Sequence, residues 1–288
     1  MPRRPAPKTD LDLTDMVLSG PSGAYEALQL YRSRALRANT KGEYMSSIEY
    51  SSTGAKIMLK NGYDNAGVEL TNLFLDVLTE AAMDIEHPIR QLVEDILASF
   101  PADKKNLKVD FLKACVKWTT KCGQRELGDP LLHVQLAECL WESHDKTATY
   151  HYCVGEAPEQ LSAKIFETYG EEKQFQQRER AVTLGICHFL AVENLRDANE
   201  FFTSFQKRMK SKNFHERKSN LITFCDYLLQ TCKRDATPLF KQLVNTYASD
   251  LDFDENVPSL LMGPVGTRMF GITPKPNMMS MLSHMLSA

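Results

Sequence analysis

From Ala24 the apolar residues fall at Ala24, Leu28, Tyr31 and Ala35, the three- and four-residue steps of one helix face. Asn39-Thr40-Lys41-Gly42 breaks the pattern, and a second face runs through Tyr44, Ile48, Ala55, Met58 and Leu59. Lys60-Asn61-Gly62 breaks it again, since Asn-Gly is a strong turn signal. A third face follows at Ala66, Leu70, Leu73, Phe74, Val77, Leu78 and Ala81. Three helices of similar length joined by short loops predict antiparallel packing. None can bury its apolar stripe alone, so the stretch predicts the start of a helical solenoid.

The rest of the chain continues in the same style. Ile89, Leu92, Val93, Ile96 and Leu97 form the stripe after His87-Pro88, and Phe100-Pro101 ends it. Val109, Leu112, Val116, Thr119 and Thr120 predict the next face, with Trp118 on its flank. Asp129-Pro130 reads as an N-cap followed by proline in the first turn. Helices are expected near Thr147–Val154, from Pro158 to Tyr169, across Arg180–Val192 as the most buried segment, and over Asn194–Met209. Two more cover Leu221–Leu229 and Pro238–Tyr247, and a last one runs from Pro258 to Phe270 with a break at Gly263-Pro264. The fold class is all-α: a degenerate TPR-like α-solenoid of about thirteen or fourteen helices, with at most one small β-hairpin near the C-terminal half. Residues 1–22 read as a flexible N-terminal arm with a short helical segment at Leu11–Leu18. Residues 23–288 read as one solenoid with halves at 23–145 and 146–288.

Composition narrows the function classes. The 288 residues carry a formal net charge of -3, against a general nucleic-acid or membrane-surface binder. The balance is uneven, because residues 1–60 sum to +3 and the remainder to -6. Seven cysteines with no C-x-x-C pair, no apolar signal core after Met1, and no run approaching a membrane span predict a reduced cytosolic protein.

No constellation predicts chemistry. Cys139, His144, His151 and Cys153 lack the tight paired spacing of zinc ligands. Cys187 and His188 are sequence neighbours on a helix, so they diverge by about 100°. Gly263-Pro264-Val265-Gly266 lacks both the lysine and the preceding strand of a phosphate loop. The expectation is a non-enzymatic protein-binding scaffold without cofactor or metal. On the first long helix, Arg34, Arg37 and Lys41 share a narrow sector away from the apolar stripe, either as a recognition surface or as a solvated face. Lys56 and Lys60 add charge at the end of the next helix. Six of the 12 methionines lie from Met262 onward, as a C-terminal cap, a partner groove or both.

Several segments in order resemble one family. They are Gly23-Ala24-Tyr25-Glu26-Ala27-Leu28-Gln29-Leu30-Tyr31-Arg32 with Arg37, Ser52-Thr53-Gly54-Ala55, Lys117-Trp118, Gly128-Asp129-Pro130-Leu131-Leu132-His133, and Val265-Gly266-Thr267-Arg268-Met269-Phe270-Gly271-Ile272-Thr273-Pro274. The chain resembles the helical-repeat scaffold subunit of the guided-entry pathway for tail-anchored membrane proteins. It departs from that pattern in a basic N-terminal helix reduced to Arg3, Arg4 and Lys8, and in the charged stretch Lys210–Lys218. The resemblance implies a cytosolic scaffold whose N-terminal helices dock a homodimeric targeting ATPase. Its C-terminal half would hold a ubiquitin-like adaptor, which recruits a TPR co-chaperone carrying tail-anchored clients. Nucleic-acid binding and direct membrane insertion are not implied. Arg32 and Arg37 match the ATPase-facing helix, Arg34 and Lys41 join them by geometry, and Glu69 matches an acidic position. The candidate adaptor-binding residues are Leu260, Leu261, Phe270, Ile272, Met278 and Met281. The alternative is a subunit of another helical-repeat assembly, of the proteasome-lid or signalosome type.

Overall fold

Short helices joined by tight turns make up a computed structural model that describes residues 10–212 and 219–273. The expectations for residues 1–9, for most of the Lys210–Lys218 stretch and for the tail from Pro274 lie outside the described residues. The chain divides into two compact units, residues 1–143 and 144–288. The architecture is all-α and solenoid-like, and no strand, hence no hairpin, occurs among the described residues.

The first unit holds α1 (Asp10–Leu18), α2 (Pro21–Thr40), α3 (Tyr44–Lys60), α4 (Asp64–Glu80), α5 (Ile89–Leu97), α6 (Lys105–Cys122) and α7 (Pro130–Glu142). Within the segment read as an arm, α1 packs on α2 and buries Leu13 and Val17. The turns at Gly42 and Gly62 take φ of 76° and 78°, the left-handed region that glycine enters without strain. These turns fold α2, α3 and α4 back on one another. Their stripes meet where Gly54 of α3 lies against Tyr31 of α2 and Leu70 of α4. A Cβ there would come within 2.8 Å of both side chains. Tyr31 and Leu70 are fully buried, each contributing about 1.5–3 kcal/mol of burial energy.

One register differs from expectation. On α6 the buried face is Phe111, Leu112, Cys115, Trp118 and Thr119, while Val109 and Val116 stay half-buried. Trp118 is core rather than flank. It is 2% exposed, and its indole Nε1 donates to the Met83 carbonyl at 3.0 Å. Arg90 of α5 fixes the next junction, with Nη2 at 2.7 Å and Nη1 at 3.3 Å from the Asp129 carboxylate. That carboxylate also accepts from Leu132 N at 3.1 Å, the N-cap expected for α7.

The second unit holds α8 (Ala148–Val154), α9 (Pro158–Thr168), α10 (Phe175–Ala191), α11 (Leu195–Ser211), α12 (Asn220–Lys233) and α13 (Thr237–Thr246). It continues through α14 (Ala248–Leu251), α15 (Asn256–Leu260), a π turn at Leu261–Val265 and α16 (Gly266–Phe270). As expected, α10 is the buried hub, touched by α8, α9, α11, α12, α15 and α16. Gly185 lets it approach closely, since a Cβ would meet Phe201 at 2.9 Å. Arg178 is 1% exposed, donates to the Tyr169 and Glu171 carbonyls, and lies over the Phe166 and Phe175 rings. It ties the exit of α9 to α10.

Candidate protein-docking surfaces

Six residues of α2, Ala24, Ala27, Leu28, Tyr31, Ala35 and Ala38, face inward. The basic residues divide around that stripe. At 100° per residue, Arg34, Arg37 and Lys41 span about 60°, and Lys41 keeps helical backbone angles of φ -88° and ψ -3°. Arg37 is exposed and makes no ion pair among the described residues. Lys41 Nζ lies 4.0 Å from Glu43. Arg34 is half-buried, its guanidinium carbon 5.8 Å from the Tyr50 ring centroid. The expected sector therefore exists, with Arg37 and Lys41 outermost.

Arg32 does not belong to it. It lies about 140° around the helix from Arg37, on the side facing α4. There Arg32 Nη1 meets Glu69 Oε1 at 3.1 Å, with both side chains about half exposed. Two turns further along, Asn39 Nδ2 donates to Glu80 Oε2 at 2.7 Å, so α2 and α4 run parallel along a polar seam. Tyr25, seven residues before Arg32 on the same face, is 67% exposed. It borders a groove of about 630 Å³ lined also by Tyr63, Asp64, Glu69 and Lys104. The sequence signal for this groove is the seven-residue spacing of Tyr25 and Arg32, which puts both on one face of α2.

Lys56 and Lys60 do not extend the Arg34 sector. The Ser47 hydroxyl donates to the Ala35 carbonyl at 2.8 Å, which sets α3 antiparallel to α2. The end of α3 then lies beside the start of α2, roughly 20 Å from Lys41 at 1.5 Å per residue. Lys56 is also paired to Asp95 at 3.1 Å.

At the other candidate site, Leu261 is fully buried and Phe270 is 7% exposed. Phe270 stacks on Phe240 at 4.3 Å between centroids. Gly271, at φ 61°, reverses the chain so that Ile272 N donates to the Gly266 carbonyl at 2.9 Å. Arg268 Nη1 donates to the Ala191 carbonyl at 2.9 Å and anchors α16 to the C-terminal end of α10. Leu261 and Phe270 thus hold the last helices together and offer little surface. Leu260 and Ile272 are half-buried, and Met262 is 48% exposed beside the Gly263-Pro264 break. Met278 and Met281 lie outside the described residues.

The buried thiols are chemically quiet. Burial pushes Cys153 and Cys187 well above the ordinary thiol range. Burial also lowers His188 to about 4, so the neighbouring pair is a protonated thiol and a neutral ring at neutral pH. Among the described residues, no group of three or more His, Cys, Asp or Glu side chains is placed to hold a metal ion, and no helix is long and apolar enough to cross a membrane.

Comparison with known proteins adds four findings. A family model for Golgi to ER traffic protein 4 matches residues 41–288. Protein GET4 of Arabidopsis thaliana is 28% identical, over 87% of this chain and 86% of its own length. The human Golgi to ER traffic protein 4 homolog is 25% identical, over 87% and 76% respectively. A crystal structure of C. therm. Get4 shares the fold, with a TM-score of 0.77 at 22% identity, covering 96% of this chain and 94% of that one.

Proposed function

This chain belongs to the Golgi to ER traffic protein 4 family, and from that premise we propose that it is a two-ended cytosolic scaffold joining a homodimeric targeting ATPase to a ubiquitin-like adaptor. Membership carries a role in that traffic pathway, as a helical scaffold and not as an enzyme. It sets aside the alternative of a proteasome-lid or signalosome subunit. The finer roles are our reading. The ATPase docks on α2 through Arg37 and Lys41, with Arg34 beside them and, on the other flank, Arg32 paired to Glu69 of α4. The observation that carries this is the exposed cationic sector of α2, clear of the buried stripe and matched on its own helix by no acidic partner for Arg37. The adaptor, and through it a TPR co-chaperone with its tail-anchored client, is held by the second unit. There Leu260 and Ile272 supply surface, while Leu261 and Phe270 support it from beneath.

The test is the binding of an Arg34→Glu, Arg37→Glu variant to the family's targeting ATPase. Loss of docking with unchanged helical signal supports the assignment. A wild-type protein should also dock more weakly as salt rises, because exposed charges act mainly on association rate. Undiminished docking of the variant at low salt would refute it.

A further inference from the structure

Among the basic residues of α2, Arg32 is held by a carboxylate from another helix of its unit. Its partner Glu69 sits thirty-seven residues later on α4, at 3.1 Å. The pair is not needed to keep the two helices together, because both pack on α3 and the Asn39–Glu80 hydrogen bond spans the same seam. With side-chain exposures of 50% and 44%, both groups stay within reach of a partner. Tyr25 and the neighbouring groove with Tyr63, Asp64 and Lys104 leave room for incoming side chains beside the pair.

We propose that the Arg32–Glu69 ion pair is a gate on the α2 docking surface, closed in the free protein and exchanged on docking for two intermolecular pairs. This deepens the reading of α2 as the ATPase-facing helix and rests on it. The partner surface it fits carries a carboxylate for Arg32 next to a lysine or arginine for Glu69. A partner offering only acids would leave Glu69 stranded beside them. The gate therefore selects for alternating charge, which a plain basic patch does not.

A double-mutant cycle on docking of the targeting ATPase to the full chain tests this. Arg32→Gln loses one intermolecular contact, but it also removes the closed pair that docking must open, so part of its loss is hidden. Glu69→Gln behaves likewise. The double variant then weakens docking by about two- to five-fold more than the product of the single effects, the range expected for an exposed pair. High salt shrinks that factor. Single effects that simply multiply overturn the proposal. So does a Glu69→Gln variant that docks more tightly than the wild type, because Glu69 would then only mask Arg32. Arg37→Glu, which leaves the pair intact, keeps the two questions apart. If it docks normally, the α2 surface and the gate fall together. If it fails to dock while the cycle multiplies, only the gate falls.

Discussion

The two candidate docking regions are built from opposite materials. On α2 the proposed docking residues are charged, long and outside the buried stripe, so removing them should leave the core of the first unit untouched. At the end of the second unit the candidates are apolar, and two of the described ones, Leu261 and Phe270, are themselves core. On the proposed assignment, recognition and stability are separable in the first region and entangled in the second. A lost interaction at the α2 surface can be read as a lost contact, whereas the same loss at α16 needs a stability measurement beside it.

The entanglement is sharpest at Phe270. Phe270→Ala removes a ring stacked on the fully buried Phe240 and is expected to cost ~3–5 kcal/mol in urea denaturation. Adaptor capture should fall with it. On α2, Arg34→Glu with Arg37→Glu is expected to weaken ATPase docking about 100-fold, near 2.7 kcal/mol, while unfolding stability stays within ~0.5 kcal/mol. A stability loss comparable to that of Phe270→Ala would erase the contrast.

A pH dependence follows from His188 in the second unit. Folded, it titrates at about 4, against an ordinary value of 6.5, because burial disfavours its charge. Between those values the unfolded chain binds a proton that the folded chain does not. Stability therefore falls as pH drops through that window, by ~3 kcal/mol in all, and the His188 contribution is flat above it. His188→Gln should flatten most of the slope. His133, also lowered by burial, adds to it in the same direction. The smallest effect belongs to Ile272→Ala. It is half-buried, so unfolding should shift by no more than ~1 kcal/mol while adaptor capture drops. Capture unchanged in a soluble Ile272→Ala protein would leave the end of the chain as a cap alone.

Particular residues show what the sequence could reveal. The stripe of α2 was legible because its apolar residues keep helical period, even though Tyr25 and Leu36 beside it are apolar and exposed. On α6 the expected face is right at Leu112 and Thr119, but Val109 and Val116 stay half-buried while Phe111, Cys115 and Trp118 complete the buried side. Lys56 and Lys60 lie at the end of α3 as their sequence position implies, and the antiparallel return of α3 separates them from the Arg34 sector, with Lys56 paired to Asp95. The Arg32–Glu69 pair joins two helices across thirty-seven residues, and no local pattern encodes such a contact. At the C-terminal end, Leu260, Leu261 and Met262 are all apolar. Which of them is buried depends on the break at Gly263-Pro264, where counting in helical steps stops working.

The most direct test of the two-ended scaffold is sedimentation of the full chain mixed with both the targeting ATPase and the ubiquitin-like adaptor. The wild-type chain should form one complex containing all three. The Arg34→Glu, Arg37→Glu variant should keep the adaptor and lose the ATPase, since repeats of a solenoid contact mainly their neighbours. A variant that sheds both partners, or keeps both, would contradict the account.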